Sequence, residues 1–220
     1  MAGIADKLTD AGFSVEVPLL PGHGTTVDDM LESTFAEWTQ AAEEALNLLA
    51  ARTEQVFVGG LSMGGGLTCW LAERHPELAG IILVNPFVEP LDASFVDAIQ
   101  ELVDQGTTTM DAIGSDIKKE GVAERSYPAT PLVPMLSLFE GVKEISADLG
   151  KISCPVLLLS SVEDHLVPPS NGTHLLARVS APVEQVLLEN SYHVATLDHD
   201  AALVEAEALS FVERVIEQGA

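Results

Sequence analysis

Two short stretches of the chain are apolar almost without interruption: Ile81–Val84 (IILV) and Pro155–Ser160 (PVLLLS). Runs of this length without polar alternation belong to strands covered on both faces. Residues 13–17 (FSVEV) instead alternate apolar and polar, the pattern of a half-covered strand. Gln55–Gly59 and Gln185–Leu188 add two more β-branched or aliphatic strand segments. Between them the period changes to that of a helix. Over Thr34–Ala50, Phe35, Trp38, Ala42, Ala45 and Leu49 fall on one face. Leu67–Arg74 reads as a helix that stops before Pro76. The closing segment aligns Leu203, Ala206, Leu209, Val212 and Ile216 on one stripe. Strands alternating with helices in this way predict a parallel sheet flanked by helices, the α/β class.

One block departs from the alternation. Residues 87–150 carry helical patches and loops but no convincing strand, and they lie between two sheet strands. The expectation is a single domain over residues 1–220, with 87–150 inserted as a cap above the sheet edge where α/β proteins bind ligands. The proline- and glycine-marked PLLPGHGTT after FSVEV is a loop. There are no internal repeats and no low-complexity tract.

A chain of 220 residues, 47% hydrophobic, is long enough for one real core. Acidic side chains outnumber basic ones 34 to 10, for a net charge of −24. That charge opposes binding to nucleic acid or to an anionic membrane surface. It reads as a solubilising surface, and the five lysines also fit adaptation to high salt. No apolar run is long enough to cross a bilayer, and MAGIADKLTDAGF lacks the pattern of a secretory signal. Cys69 and Cys154 stand far apart without metal-ligand spacing, which predicts free buried thiols and a cytoplasmic protein.

The chemistry concentrates in VFVGGLSMGGG, residues 56–66. Its core, GLSMG, is Gly-x-Ser-x-Gly set between a strand and a helix. A serine at the apex of so sharp a turn is held in a strained conformation with its hydroxyl exposed. Glycines two positions to either side, Gly60 and Gly64, are expected to avoid collision with the adjoining strand and helix. The helix N-terminus, beginning with the N–H of Met63, points at negative charge developing on a substrate.

A serine hydroxyl needs a base. In folds built on this turn the order along the chain is Ser, acid, His, each after a strand. Of the six histidines, His193 fits, following QVLL in the loop ENSYHV. His199 is expected to cap a helix or face solvent, His165 to point away, His174 to sit in a helix, and His23 and His75 to lie outside the required order. The acid belongs in SSVEDHLVPP, where Asp164 precedes the turn into Pro168 and Pro169 and Glu163 is expected to be solvated. Asp164 would hold the imidazole tautomer and stabilise the imidazolium.

PLLPGHGT, GLSMGG, GSDIKKEGV, SSVEDHLVPPSN and NSYHVATLDHD together resemble bacterial monoacylglycerol lipases and the related thermostable carboxylesterases of the α/β-hydrolase superfamily, over essentially the whole chain. The resemblance implies the α/β-hydrolase fold and hydrolysis of small carboxylic esters through an acyl-enzyme. It makes Ser62 the nucleophile, Asp164 the acid, His193 the base and Met63 an oxyanion donor. It implies Asn85, Ile113 and Glu124 as substrate-binding positions, with no metal or organic cofactor and no stable membrane insertion.

The same family begins with an apolar strand ending in His-Gly-aromatic, which supplies a second oxyanion donor and lies between the FSVEV and VFVGG strands. The sequence has no counterpart, so the expectation is that about 30–40 residues, a βα unit plus a hairpin, are missing. With one donor of two, the rate would fall by about 10²–10³. A non-catalytic scaffold or inactive fragment is therefore the competing expectation. A peptidase, lactonase or carbon–carbon bond hydrolase uses the same turn. A dehalogenase would want a carboxylate at position 62, and a dienelactone-type hydrolase a cysteine.

Overall fold

The computed structural model describes residues 1–112 and 114–219. In chain order the elements are α1 (Ala2–Asp10), α2 (Val27–Leu31), α3 (Phe35–Ala50), β1 (Phe57–Leu61), α4 (Met63–Ala72), β2 (Gly80–Val84), α5 (Ala93–Asp104), β3 (Thr109–Asp111), β4 (Ala129–Pro131), α6 (Leu132–Asp148), β5 (Val156–Ser161), α7 (Ser170–Leu176), β6 (Val183–Leu188) and α8 (Ala201–Gly219). The main sheet runs β1-β2-β5-β6, parallel throughout.

The two apolar runs become the central strands, and every residue of β2 and β5 is buried. Their side chains divide by parity. Ile81, Leu83, Val156 and Leu158 join a core with Trp38 and Leu46 of α3 and Leu67 and Leu71 of α4. Ile82, Val84, Leu157 and Leu159 face Ile4 of α1 and Val204, Ala208, Phe211 and Val212 of α8. Each such side chain contributes about 1.5–3 kcal/mol by leaving water, so the two layers fix the sheet from both faces. α3 starts as its Thr-x-x-Glu sequence suggests: the Thr34 hydroxyl oxygen accepts the Glu37 N–H at 3.3 Å.

Three expectations are corrected. FSVEV joins no ladder, because no described strand lies against it. An apolar cavity of about 380 Å³ separates it from β1, lined by Phe13, Val15, Leu46, Val58, Leu67 and Leu71. Among the described residues, β1 is paired only through its β2 edge. The 87–150 block does contain strands: β3 and β4 form a short antiparallel pair. Three residues each give too little length for a period to register. On α8 the stripe is displaced. Leu203 is 39% exposed, while Val204, Ala208, Phe211 and Val212 are buried. Phe211 sets the phase, packing edge-on against Phe57 at 6.2 Å and over Gly80.

The block between β2 and β5 is seated on the body rather than separate from it. α6 buries Ile145 in the same core as α3 and α4. The Tyr127 hydroxyl donates to the Gly22 carbonyl at 2.6 Å and accepts the Thr25 N–H at 2.9 Å, pinning the PGHGTT loop.

Candidate active site

β1 ends at Leu61 and α4 begins at Met63, so the chain turns within one residue. Ser62 takes φ 57°, ψ −120°, a conformation that side-chain-bearing residues occupy at a cost of about 1–3 kcal/mol. The surrounding bonds hold it there. The Ser62 N–H donates to the Val84 carbonyl at 3.0 Å, and its own carbonyl accepts from Phe87 and Gly66, each at 3.1 Å. The Met63 N–H lies in the first turn of α4, whose donors have no partner inside the helix.

The glycines divide unevenly. A Cβ on Gly60 would sit 2.0 Å from the Gly64 carbonyl oxygen, so only glycine fits. A Cβ on Gly64 would meet nothing within 4 Å, because that position faces the cavity beside β1. The other tight positions are Gly65 and Gly66, whose Cβ atoms would fall 2.8 Å from the Pro86 Cβ and from the Phe87 carbonyl oxygen. The steric requirement expected at Gly64 therefore falls on the next two residues.

His193 Nδ1 and Asp164 Oδ2 are 2.7 Å apart, with side chains 5% and 2% exposed. The other oxygen, Asp164 Oδ1, accepts the N–H groups of Leu166 at 2.9 Å and Val167 at 2.8 Å. One carboxylate oxygen is thus committed to the turn and the other to the imidazole. With Nδ1–H donating to Asp164, Nε2 is left as the proton acceptor.

Sheet order poses a geometric problem. Ser62 follows β1 at one edge, whereas His193 follows β6 at the other. The base loop returns across the strand ends, and Asn85 catches it. The Asn85 amide donates to the His193 carbonyl at 2.8 Å and to Ser161 Oγ at 2.9 Å, while its oxygen accepts the Ser161 N–H at 2.7 Å. Ser161 Oγ donates in turn to the Tyr192 carbonyl at 2.8 Å. Residues 84–87 therefore fasten both ends of the arrangement: Ser62 through Val84 and Phe87, His193 through Asn85. Among the described residues the Ser62 hydroxyl makes no hydrogen bond of its own.

Of the substrate-binding positions, Asn85 is buried, has φ 43° and spends its amide on this network. Burial raises the carboxyl of Glu124, and the charge of His193 works in the opposite direction. Ile113 lies outside the described residues. His165 points to Asp116, His199 is exposed, and His174 is in α7. His75 is held between Glu77 and Glu43, each at 2.8 Å. Glu163 is 53% exposed.

Sequence patterning did not single out Ser161 or Asp198. Asp198, 1% exposed, accepts the N–H groups of Tyr192, Lys118, Lys119 and His199 between 2.6 and 2.9 Å. Its only sequence signal is its place in NSYHVATLDHD.

A strained serine at a strand–helix turn and a buried Asp–His pair after later strands of a parallel sheet define a hydrolase of the α/β class. The chain belongs to the alpha/beta hydrolase family, whose model matches residues 2–206. It is 39% identical to the thermostable monoacylglycerol lipase of Bacillus sp. (strain H-257) over 213 residues, 96% of this chain and 84% of that protein. It is 22% identical to a carboxylesterase of Bacillus subtilis (strain 168), over 94% of this chain and 84% of that one. Among solved structures, one from a description of the metagenome-derived lipolytic enzymes LipS and LipT superposes with a TM-score of 0.92 at 38% identity, covering 97% of this chain and 87% of that one.

Proposed function

We propose that this chain is a serine carboxylic-ester hydrolase that cleaves monoacylglycerols or similar short- to medium-chain acyl esters through an acyl-enzyme. One observation carries the reading: the segment 84–87 holds the strained Ser62 and, through Asn85, the His193–Asp164 pair. In this mechanism Ser62 Oγ attacks the acyl carbon while His193 Nε2 takes its proton. The Met63 N–H and the α4 N-terminus face the developing oxyanion. His193 returns the proton to the departing alkoxide. Water, activated by the same imidazole, then releases the acid and frees Ser62. Asp164 steadies the imidazolium without taking its proton. The names of the relatives support a glycerol monoester as substrate, and Glu124 near His193 supports a polar headgroup there.

No helix among the described residues is long and apolar enough to cross a membrane. A cytoplasmic location belongs to the same reading, supported by the free, buried thiols of Cys69 and Cys154.

The test is hydrolysis of p-nitrophenyl butyrate by the chain and by Ser62→Ala at matched folded concentration, followed by a series of 1-monoacylglycerols. Turnover lost in Ser62→Ala supports the proposal. Equal rates would overturn it in favour of a non-catalytic scaffold.

A further inference from the structure

Three successive N–H groups of the base loop leave the sheet and find acceptors elsewhere. Tyr192 donates to Asp198 Oδ2 at 2.9 Å, His193 to Asp116 Oδ2 at 3.1 Å, and Val194 to the Asp116 carbonyl at 3.1 Å. Asp116 is not a sheet residue; it lies within the 87–150 insertion. Its carboxylate also reaches the acid loop. Oδ1 is 2.8 Å from His165 Nδ1, and Oδ2 accepts the His165 N–H at 3.1 Å. His165 directly follows Asp164, so one carboxylate, 12% exposed, grips both loops that carry the Asp164–His193 pair.

The segment around Asp116 is itself stapled down. Asp198 accepts the N–H groups of Lys118 and Lys119 at 2.6 and 2.9 Å, along with that of Tyr192. The insertion and the base loop thus share two carboxylates, the buried Asp198 and the partly buried Asp116. Asp116 remains charged: burial works against ionisation, but the His165 ring and the N–H groups of His165 and His193 outweigh it and hold the carboxyl below its usual range.

We propose that Asp116 is a positioning residue for the general base, tying the cap insertion to the backbone of His193 and to the acid loop. The proposal rests on the ester-hydrolase reading of the triad. One consequence separates it from a purely structural role: displacing the His193 backbone moves Nε2 relative to Ser62, which slows the chemical step without weakening substrate binding.

The experiment compares the intact chain with Asp116→Ala, Asp116→Asn and Ser62→Ala on p-nitrophenyl butyrate, with rates normalised to serine titratable by a fluorophosphonate. Asp116→Ala is expected to lower kcat by about 10²-fold, the scale of a 1 Å misplacement, with KM within about twofold of wild type if uniform binding is untouched. Asp116→Asn keeps one oxygen acceptor for the His193 N–H and should recover part of kcat. Wild-type kcat with only a lower melting temperature, or a loss carried by KM and not by kcat, would overturn the proposal. If Asp116→Ala does not fold, the kcat-against-KM split of Asp116→Asn carries the test. Failure of both to fold would mark Asp116 as a folding residue and overturn its positioning role. An undiminished rate in Ser62→Ala would instead overturn the ester-hydrolase reading, independently of the Asp116 result.

Discussion

The side-chain amide of Asn85 donates to the carbonyl oxygen of His193 at 2.8 Å, joining residues 108 positions apart. The bond brings a loop that leaves the far edge of the sheet back over β2, beside the turn that carries Ser62. An aspartate at position 85 would set a carboxylate oxygen against that carbonyl and could not donate to Ser161. Asn85→Asp is therefore expected to lose about 1–3 kcal/mol for each buried group left unpaired and to lose most esterase activity. Thermal unfolding and p-nitrophenyl butyrate turnover check both outcomes together.

Asp164 is held by two backbone N–H groups through one oxygen and by His193 through the other. Asp164→Asn keeps the shape but presents a donor or a weaker acceptor to Nδ1, favouring the wrong imidazole tautomer. The expected result is a fall in kcat of about 10⁴-fold, as in serine hydrolases generally, with the melting temperature little changed. A pre-steady-state burst assay would locate the loss in acylation.

The two motif glycines should behave oppositely. Gly60→Ala drives a methyl into the Gly64 carbonyl at 2.0 Å, with backbone on both sides and no room to yield. It should give insoluble or unfolded protein. Gly64→Ala meets nothing within 4 Å and lies in helix α4, where alanine gains about 1 kcal/mol over glycine. It should raise the melting temperature or leave it unchanged. Differential scanning calorimetry of the pair decides between this asymmetry and an equal need for both glycines.

Glu73, at the end of α4, makes stability depend on pH. Among the described residues its buried Oε1 has no partner, and its other oxygen meets Arg74 at 3.2 Å. Burial dominates over that contact and pushes the carboxyl up to about 8, against an ordinary value of 4.5. Between these values the folded chain keeps a proton that the unfolded chain has released, so stability falls as pH rises from 4.5 towards 8 and the loss then levels off. Glu73→Gln should remove this component of the slope. Urea unfolding at pH 5, 6.5 and 8 measures it; identical slopes for both proteins would refute the assignment.

The parts written plainly in the sequence are those governed by short-range physics. IILV and PVLLLS had to be covered on both faces, and β2 and β5 are. GLSMG between a strand and a helix reports a strained turn, and Ser62 has the positive φ expected of it. What the sequence hid depends on partners far away. FSVEV alternates correctly but joins no ladder, and alternation carries no information about a neighbour. On α8 the stripe read from the sequence is displaced, because Phe211 packs on Phe57 and Gly80. Asn85, Ser161, Asp116 and Asp198 act through hydrogen bonds to backbone groups in other loops, which leave no period in the chain.

The return of the base loop across the sheet also sets the order in which the molecule becomes competent. Helices such as α4 and α8 close contacts between near neighbours, whereas the His193 loop finds Asn85 and Asp116 only after β2, β5 and β6 have aligned. Long-range closures of this kind come late in folding. A chain diluted from denaturant should regain its helical circular dichroism before it turns over an ester.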